Sequence, residues 1–192
     1  MIFVTLAIGV IVGLFRGGKL SNARELKIAR IWLIFLSVIL EASLNFLMKN
    51  DFGITQNIAF IWICVQYSLL FLFIWFNRHF SYVWLIGLGT FLNAVVILLN
   101  GGSMPLADIS PYIGASETPS QYLLDGKLLT YHFINENTKL WFLGDIIWVP
   151  SPFRAFASIG DIFLYGGVLL LIQDIIAGKA TAEKVQKKKQ SA

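Results

Sequence analysis

Four long apolar runs, at residues 31–48, 58–76, 82–99 and 153–177, constrain this chain more than any other feature. About 17–25 apolar residues in helical form are needed to cross some 30 Å of hydrocarbon, and each run meets that requirement. A fifth run at residues 1–15 is shorter and would rise only roughly 22 Å. It has no basic residue before its apolar core; Arg16 and Lys19 follow it instead. That order argues against a cleaved secretory signal and for a retained first helix with an external N-terminus. The expected fold is therefore all-α, an integral membrane bundle of five transmembrane helices. Residues 1–177 form the single transmembrane domain, 100–152 a long, partly helical external loop, and 178–192 a basic cytoplasmic tail.

Composition supports this class. Hydrophobic residues make up 57% of the 192 and charged residues only 14%, against about 45–50% and about 25% in soluble domains. The excess of 15 Lys and Arg over 11 acids does not point to nucleic acid, because the bases flank apolar runs as topology determinants do. With the N-terminus outside, the cytoplasmic side receives Arg16, Lys19, Arg24, Lys27, Arg30, Arg78 and the lysines of the tail. The outside receives only Lys49, Lys127, Lys139 and Arg154. The tail KVQKKKQ reads as a stop-transfer anchor or as a contact to anionic lipid. SNARELKIAR reads as an interfacial helix capped by Ser21 or Asn22. The lone Cys64 lies in an apolar run and forms no internal disulfide.

Polar groups inside apolar runs are costly, by roughly 2.5–3.5 kcal/mol for an ionisable side chain, and usually face a bundle interior or a cavity. Two clear cases are Glu41 and Asp161, accompanied by Asn45, Gln66 and Asn93. Counted back from the external ends of their runs, Glu41, Gln66, Asn93 and Asp161 all fall roughly 9–12 Å below the outer boundary. Faces agree with depth. Ser37, Glu41 and Asn45 share one helical stripe, Ser158, Asp161 and Tyr165 another, and Gly87, Thr90 and Asn93 a third. A polar chamber open to the outside follows, with the carboxylates sharing a proton, protonated, or holding a cation. The competing reading is interhelical glue, with Glu41 accepting hydrogen bonds from Asn93 or Gln66.

The external segment alternates turn chemistry with aromatic pieces. Ser110 before Pro111 with Gly114 as a stop, Thr118 before Pro119, and the Asp125-Gly126 turn bound two short elements. Trp141, Phe142 and Trp148 suit the headgroup zone. A connector this long is expected to act as a lid over the chamber mouth, bringing Asp145 near Asp161. Asn100-Gly101-Gly102 closes the fourth run as a left-handed cap. Its glycine N–H groups are expected to point inward, making Asn100, Gly101, Gly102 and Met104 a candidate rim.

The residues NGGSMP, LTYHFINENTKLWFLGDIIWVP and SIGDI resemble a family of small bacterial integral membrane proteins with about five spans, classed as a domain of unknown function. Its pattern is carried here by Asn100, Gly101, Gly102, Met104 and Pro105, then His132, Thr138 and Leu140. Leu143, Gly144, Asp145 and Pro150 follow, and Ser158, Gly160 and Asp161 complete it. The resemblance covers the second half by motif and the first half by layout. It implies the fold and a membrane location, and supplies no activity.

No HExxH, Cys-x-x-Cys, GxSxG, P-loop or dinucleotide turn occurs, and His79 and His132 have no ligand spacing. The sequence names no metal and no cofactor. Two functional classes lead. In one, the protein binds or moves a small solute, cation, proton or lipid headgroup, using Glu41, Asn45, Gln66, Asn93, Asp145, Ser158 and Asp161 with the rim. In the other, it is an accessory or assembly subunit with a purely structural polar layer. A membrane-embedded enzyme ranks third. The expected partners are the lipid bilayer, a small-molecule or lipid ligand, and a second copy or a membrane complex.

Overall fold

The computed structural model describes residues 1–108, 128–150 and 153–178. Five α-helices dominate: α1 (Ile2–Phe15), α2 (Trp32–Lys49), α3 (Gln56–Asn77), α4 (Val83–Leu99) and α5 (Ile159–Ile176). Of these, α2, α3 and α5 are long and apolar enough to cross a membrane, while α1 has 14 residues and α4 has 17. Their outward faces are apolar as well. Phe35 is 62% exposed, Ile61 63% and Trp75 63%. A water-soluble bundle would bury such residues, so this surface suits lipid.

The main helix contacts run in the order α2 on α3, α3 on α4, α4 on α5, and α5 on α1. The tightest seam is α4–α5. A Cβ placed on Gly89 would lie 2.6 Å from the Leu164 backbone nitrogen and would overlap the Gly160 carbonyl, so only glycine permits this approach. One apolar cluster, Leu44, Met48, Ala59 and Ile63, joins α2 to α3 beneath Leu128 and Leu129. A second, Phe80, Val83 and Ile175, closes the opposite end.

Residues 16–31 depart from expectation. The segment Leu20–Glu25 forms a 3-10 turn without a side-chain cap, not an interfacial α-helix. Asn22 instead donates from Nδ2 to the Ile176 carbonyl at 2.8 Å, and the Lys19 N–H reaches the same oxygen at 3.0 Å. These contacts serve the end of α5, whose last carbonyls have no partner within the helix. Asn77, buried at the end of α3, holds the same end of the molecule. Its Oδ1 accepts from Ala29 N at 2.9 Å and its Nδ2 donates to Ala29 O at 2.8 Å.

The all-α expectation is corrected to a mostly helical fold carrying four short strands. β1 (Met104–Leu106) pairs in parallel with β2 (Tyr131–Phe133), in the register Met104↔Tyr131 and Leu106↔Phe133. β3 (Ile147–Val149) and β4 (Ala155–Ala157) form an antiparallel pair, with Trp148 opposite Phe156 and their ring centroids 5.2 Å apart. Among the described residues of the connection after α4, the only helical piece is the 3-10 turn Trp141–Leu143. The fifth helix is also shorter than the apolar run that contains it. It begins at Ile159, not at 153, because Ser158 and Asp161 form a capping box there and residues 155–157 are taken by the strand pair. The caps expected at Ser110, Gly114, Thr118 and Asp125-Gly126, and the basic tail from Lys179 on, lie outside the described residues.

Candidate functional site

The polar groups of the helices meet through the start of α5. Ser158, fully buried, accepts from Asp161 N at 2.9 Å and donates from Oγ to Asn93 Oδ1 at 2.8 Å. Asn93 Nδ2 donates to Asp161 Oδ1 at 2.9 Å, and Asp161 Oδ2 accepts from Ser158 N at 3.2 Å. This closed network ties α4 to α5 where Gly89 and Gly160 bring the two backbones together. A second link joins α2 and α3, with Gln66 Nε2 donating to Glu41 Oε2 at 3.1 Å.

Between these links lies a cavity of about 380 Å³. Glu41, Asn45, Gln66, Asn93, Met104, Asp145 and Asp161 all line it, so seven of the expected site residues share one chamber. Ser158 does not line it and acts from behind, as the cap that fixes Asp161. Four helices contribute a face at helical spacing: Glu41, Leu44 and Asn45; Ile63, Gln66, Tyr67 and Leu70; Asn93 and Ile97; Asp161 and Tyr165. Met1 and Phe156 add to the walls, and among the described residues neither Lys nor Arg lines the cavity. Glu41 is exposed, which leaves the chamber open on the α2 side.

The connection after α4, the expected lid, is built on β1. Its Pro105 carbonyl accepts from Asp145 N at 2.8 Å, and Ala107 N donates to Asp145 O at 3.0 Å. Asp145 is thus clamped by its backbone on one edge of β1, while β2 occupies the other. Gly144 is required beside it, since a Cβ there would sit 2.9 Å from Pro105 Cβ. The side-chain atom Asp145 Oδ1 is buried and has no hydrogen-bond partner among the described residues. Burial, followed by the charge of Asp161, pushes the Asp145 carboxyl up to about 7. Tyr131 is 39% exposed as a residue. Local desolvation of its phenol, with the Asp145 charge next, nevertheless raises its pKa and keeps it a neutral donor.

Asn100, Gly101 and Gly102 do not line the chamber. Asn100 joins α4 to the lid, with Nδ2 donating to Val96 O at 2.7 Å and to Lys139 O at 2.8 Å while Oδ1 accepts from Lys139 N at 2.9 Å. Gly101 N and Gly102 N are used at the end of α4, by Leu98 O and Ile97 O, so they cap the helix instead of pointing inward. Gly102 combines φ of +88° with a Phe60 Cα that would lie 3.1 Å from any Cβ. His132 holds the lid from within. Its Nδ1 lies 2.7 Å from Ser103 Oγ and its Nε2 lies 3.3 Å from Thr138 Oγ1, while Ser103 Oγ also donates to Asn100 O at 2.9 Å. A neutral imidazole protonated on Nδ1 makes all these contacts at once, and burial lowers the His132 pKa in keeping with that state. The Ser103–His132 pair has the spacing of a nucleophile and base. Ser103 is buried and neither residue lines the chamber, so the pair serves as a clamp.

Two lining tyrosines escaped sequence reasoning. Tyr67 was legible, since it follows Ile63 by four positions and precedes Leu70 by three on one face of α3. Tyr131 was not, because only the parallel register with Met104 brings it in. Among the described residues, no group of three or more His, Cys, Asp or Glu side chains is placed to hold a metal ion.

Comparison with curated proteins and with solved structures gives no match. One family model does match, over residues 25–173.

Proposed function

The chain belongs to that family, DUF5317, a family of unknown function, and from this premise we propose that it is a multi-pass membrane protein that binds a small solute in its polar chamber. In this reading α1 to α5 all span, with the lid outside and the C-terminus in the cytoplasm. The placement of Arg16, Lys19, Arg24, Lys27, Arg30 and Arg78 at the helix ends remote from the lid supports that orientation.

The observation that carries the reading is the set of carboxylates. Glu41 from α2, Asp145 from the lid and Asp161 from α5 face one cavity; among the described residues no Lys or Arg lines it, and Asp145 Oδ1 is buried without a partner. A polar layer serving only as glue satisfies its own groups, because an unpaired buried acceptor costs about 1–3 kcal/mol or more. An unsatisfied carboxylate oxygen on a cavity wall fits a site that a ligand completes. A purely structural layer in an accessory subunit is the second reading, favoured by the closed Asn93–Ser158–Asp161 network and the Gln66–Glu41 bond.

Native mass spectrometry of the purified protein separates the two. Expected is a retained small molecule, lost in Glu41→Gln and in the Glu41→Gln, Asp161→Asn double variant. Folded variants with an unchanged mass profile would refute the binding reading.

A further inference from the structure

The lining of the chamber specifies the chemistry of its occupant more closely than its charge alone. We infer that the chamber receives a small protonated organic amine, held by its N–H groups against Asp145 and by its charge between Glu41 and Asp161. This inference rests on the binding reading above and adds the ligand class.

Four features of the lining lead to it. The first is sign: among the described residues, three carboxylates and no Lys or Arg line the cavity, which makes a cation the matching ligand and leaves a carboxylate or phosphate without a partner. The second is spread. No three acidic, His or Cys side chains among the described residues are placed to hold a metal ion, so the three carboxylates do not converge on one point. A bare metal ion would leave most of that charge unmatched, whereas an organic cation has a body that reaches from wall to wall. The cavity volume of about 380 Å³ agrees, lying within the roughly 300–1,000 Å³ of small-molecule sites.

The third feature is the wall material. Tyr67, Tyr131, Tyr165 and Phe156 present aromatic rings to the space, and aromatic faces attract ammonium groups once water is excluded. Leu44 and Met104 offer apolar contact to an alkyl body. The fourth is Asp145 Oδ1, a buried acceptor without a donor among the described residues. A quaternary ammonium has no N–H to give it, so the inferred ligand is a primary or secondary amine. A phospholipid amine shares that N–H chemistry, but its phosphodiester would enter a site with no basic residue among those described, which favours a soluble amine.

The test uses the full chain in phosphatidylcholine nanodiscs and follows saturable binding by calorimetry. The probes are butylammonium, tetramethylammonium, the neutral isostere butanol and the anion butyrate. Expected is binding of butylammonium, weaker binding of tetramethylammonium, and none of butanol or butyrate. Removing the charge-assisted bond in Asp145→Asn should weaken butylammonium by roughly 10- to 100-fold. Glu41→Gln, whose side chain faces the open side, provides a second variant should Asp145→Asn fail to fold. Nanodiscs containing phosphatidylethanolamine distinguish the sources: competition assigns the site to a lipid amine, and undiminished butylammonium binding assigns it to a soluble one. Butanol or butyrate binding as tightly as butylammonium, or equal binding of tetramethylammonium, overturns the inference while leaving a binding chamber in place. No saturable binding of butylammonium up to millimolar concentration also overturns it. If the native mass profile is then unaltered in the variants, the binding reading falls too.

Discussion

Asp145→Asn should abolish a pH dependence of stability that the wild-type protein carries in its lid. Burial first, and the Asp161 charge second, move the Asp145 carboxyl from 3.8 to about 7. Between those values the folded protein keeps a proton that the unfolded chain has released, so stability falls as pH rises through the window. The full penalty is present above about pH 7. At about 1.36 kcal/mol per pKa unit the displacement is worth on the order of 4 kcal/mol. For a chain of this size that corresponds to roughly 8–16 °C in Tm. The amide introduced by Asp145→Asn cannot ionise, so the variant should lose the corresponding slope. That amide is left in a site without a matching acceptor, a cost that does not vary with pH, so the readout is the slope and not the absolute Tm. Glu41 and Asp161, and the phenols of Tyr67, Tyr131 and Tyr165, face the same cavity in both proteins; the difference between the curves isolates Asp145. The assay is thermal unfolding in detergent from about pH 4 to about pH 8, in amine-free buffer so that no ligand masks the effect. Parallel curves for wild type and variant would refute the claim that this carboxyl is desolvated and unpaired.

Asn93→Leu removes both partners of the α4–α5 network, leaving Ser158 Oγ and Asp161 Oδ1 without their bonds. It should cost roughly 2–4 kcal/mol, read as a lowered Tm, and an unchanged Tm would show that the network contributes nothing. Gly89→Val places a side chain into the Gly160 carbonyl and Leu164 nitrogen, and should abolish monodisperse protein in size-exclusion chromatography; a well-behaved variant would refute the close packing. His132 works in the direction opposite to Asp145. Because burial lowers its pKa from 6.5, the unfolded chain takes up a proton that the folded lid refuses, and stability falls as pH drops below that value. Hydrogen exchange at the Met104 and Ile134 amides, corrected for intrinsic rate, should accelerate under acid in the wild type but not in His132→Gln.

The helices and much of the chamber were legible in the sequence because both rest on local periodicity. An apolar run must become a helix to satisfy its backbone in an apolar setting. Once it does, a spacing of three or four residues decides which polar groups share a face. Glu41 with Asn45, and Asp161 with Tyr165, were readable on that ground alone. Where a local signal was overlooked it was still present, as with Tyr67 and with the Ser158 capping box that begins α5 inside its apolar run. The lid is different. Its strands are three residues long, too short for an alternating pattern to announce them, and β1 contains Pro105.

What the sequence determined by itself, then, is the set of helices and which polar side chains share a face, since these follow from the turn along a single element. The depth counted for Asp161 from residue 153 did not hold, because α5 begins only at Ile159 and puts Asp161 in its first turn. What only tertiary structure decided is how those faces close. The register of β1 against β2 delivers Tyr131. The bonds between Pro105, Ala107 and Asp145 place a carboxylate over the cavity and leave one of its oxygens unpaired among the described residues. Those contacts join residues far apart in the chain through backbone groups that every residue carries, so no side-chain pattern in the sequence records them.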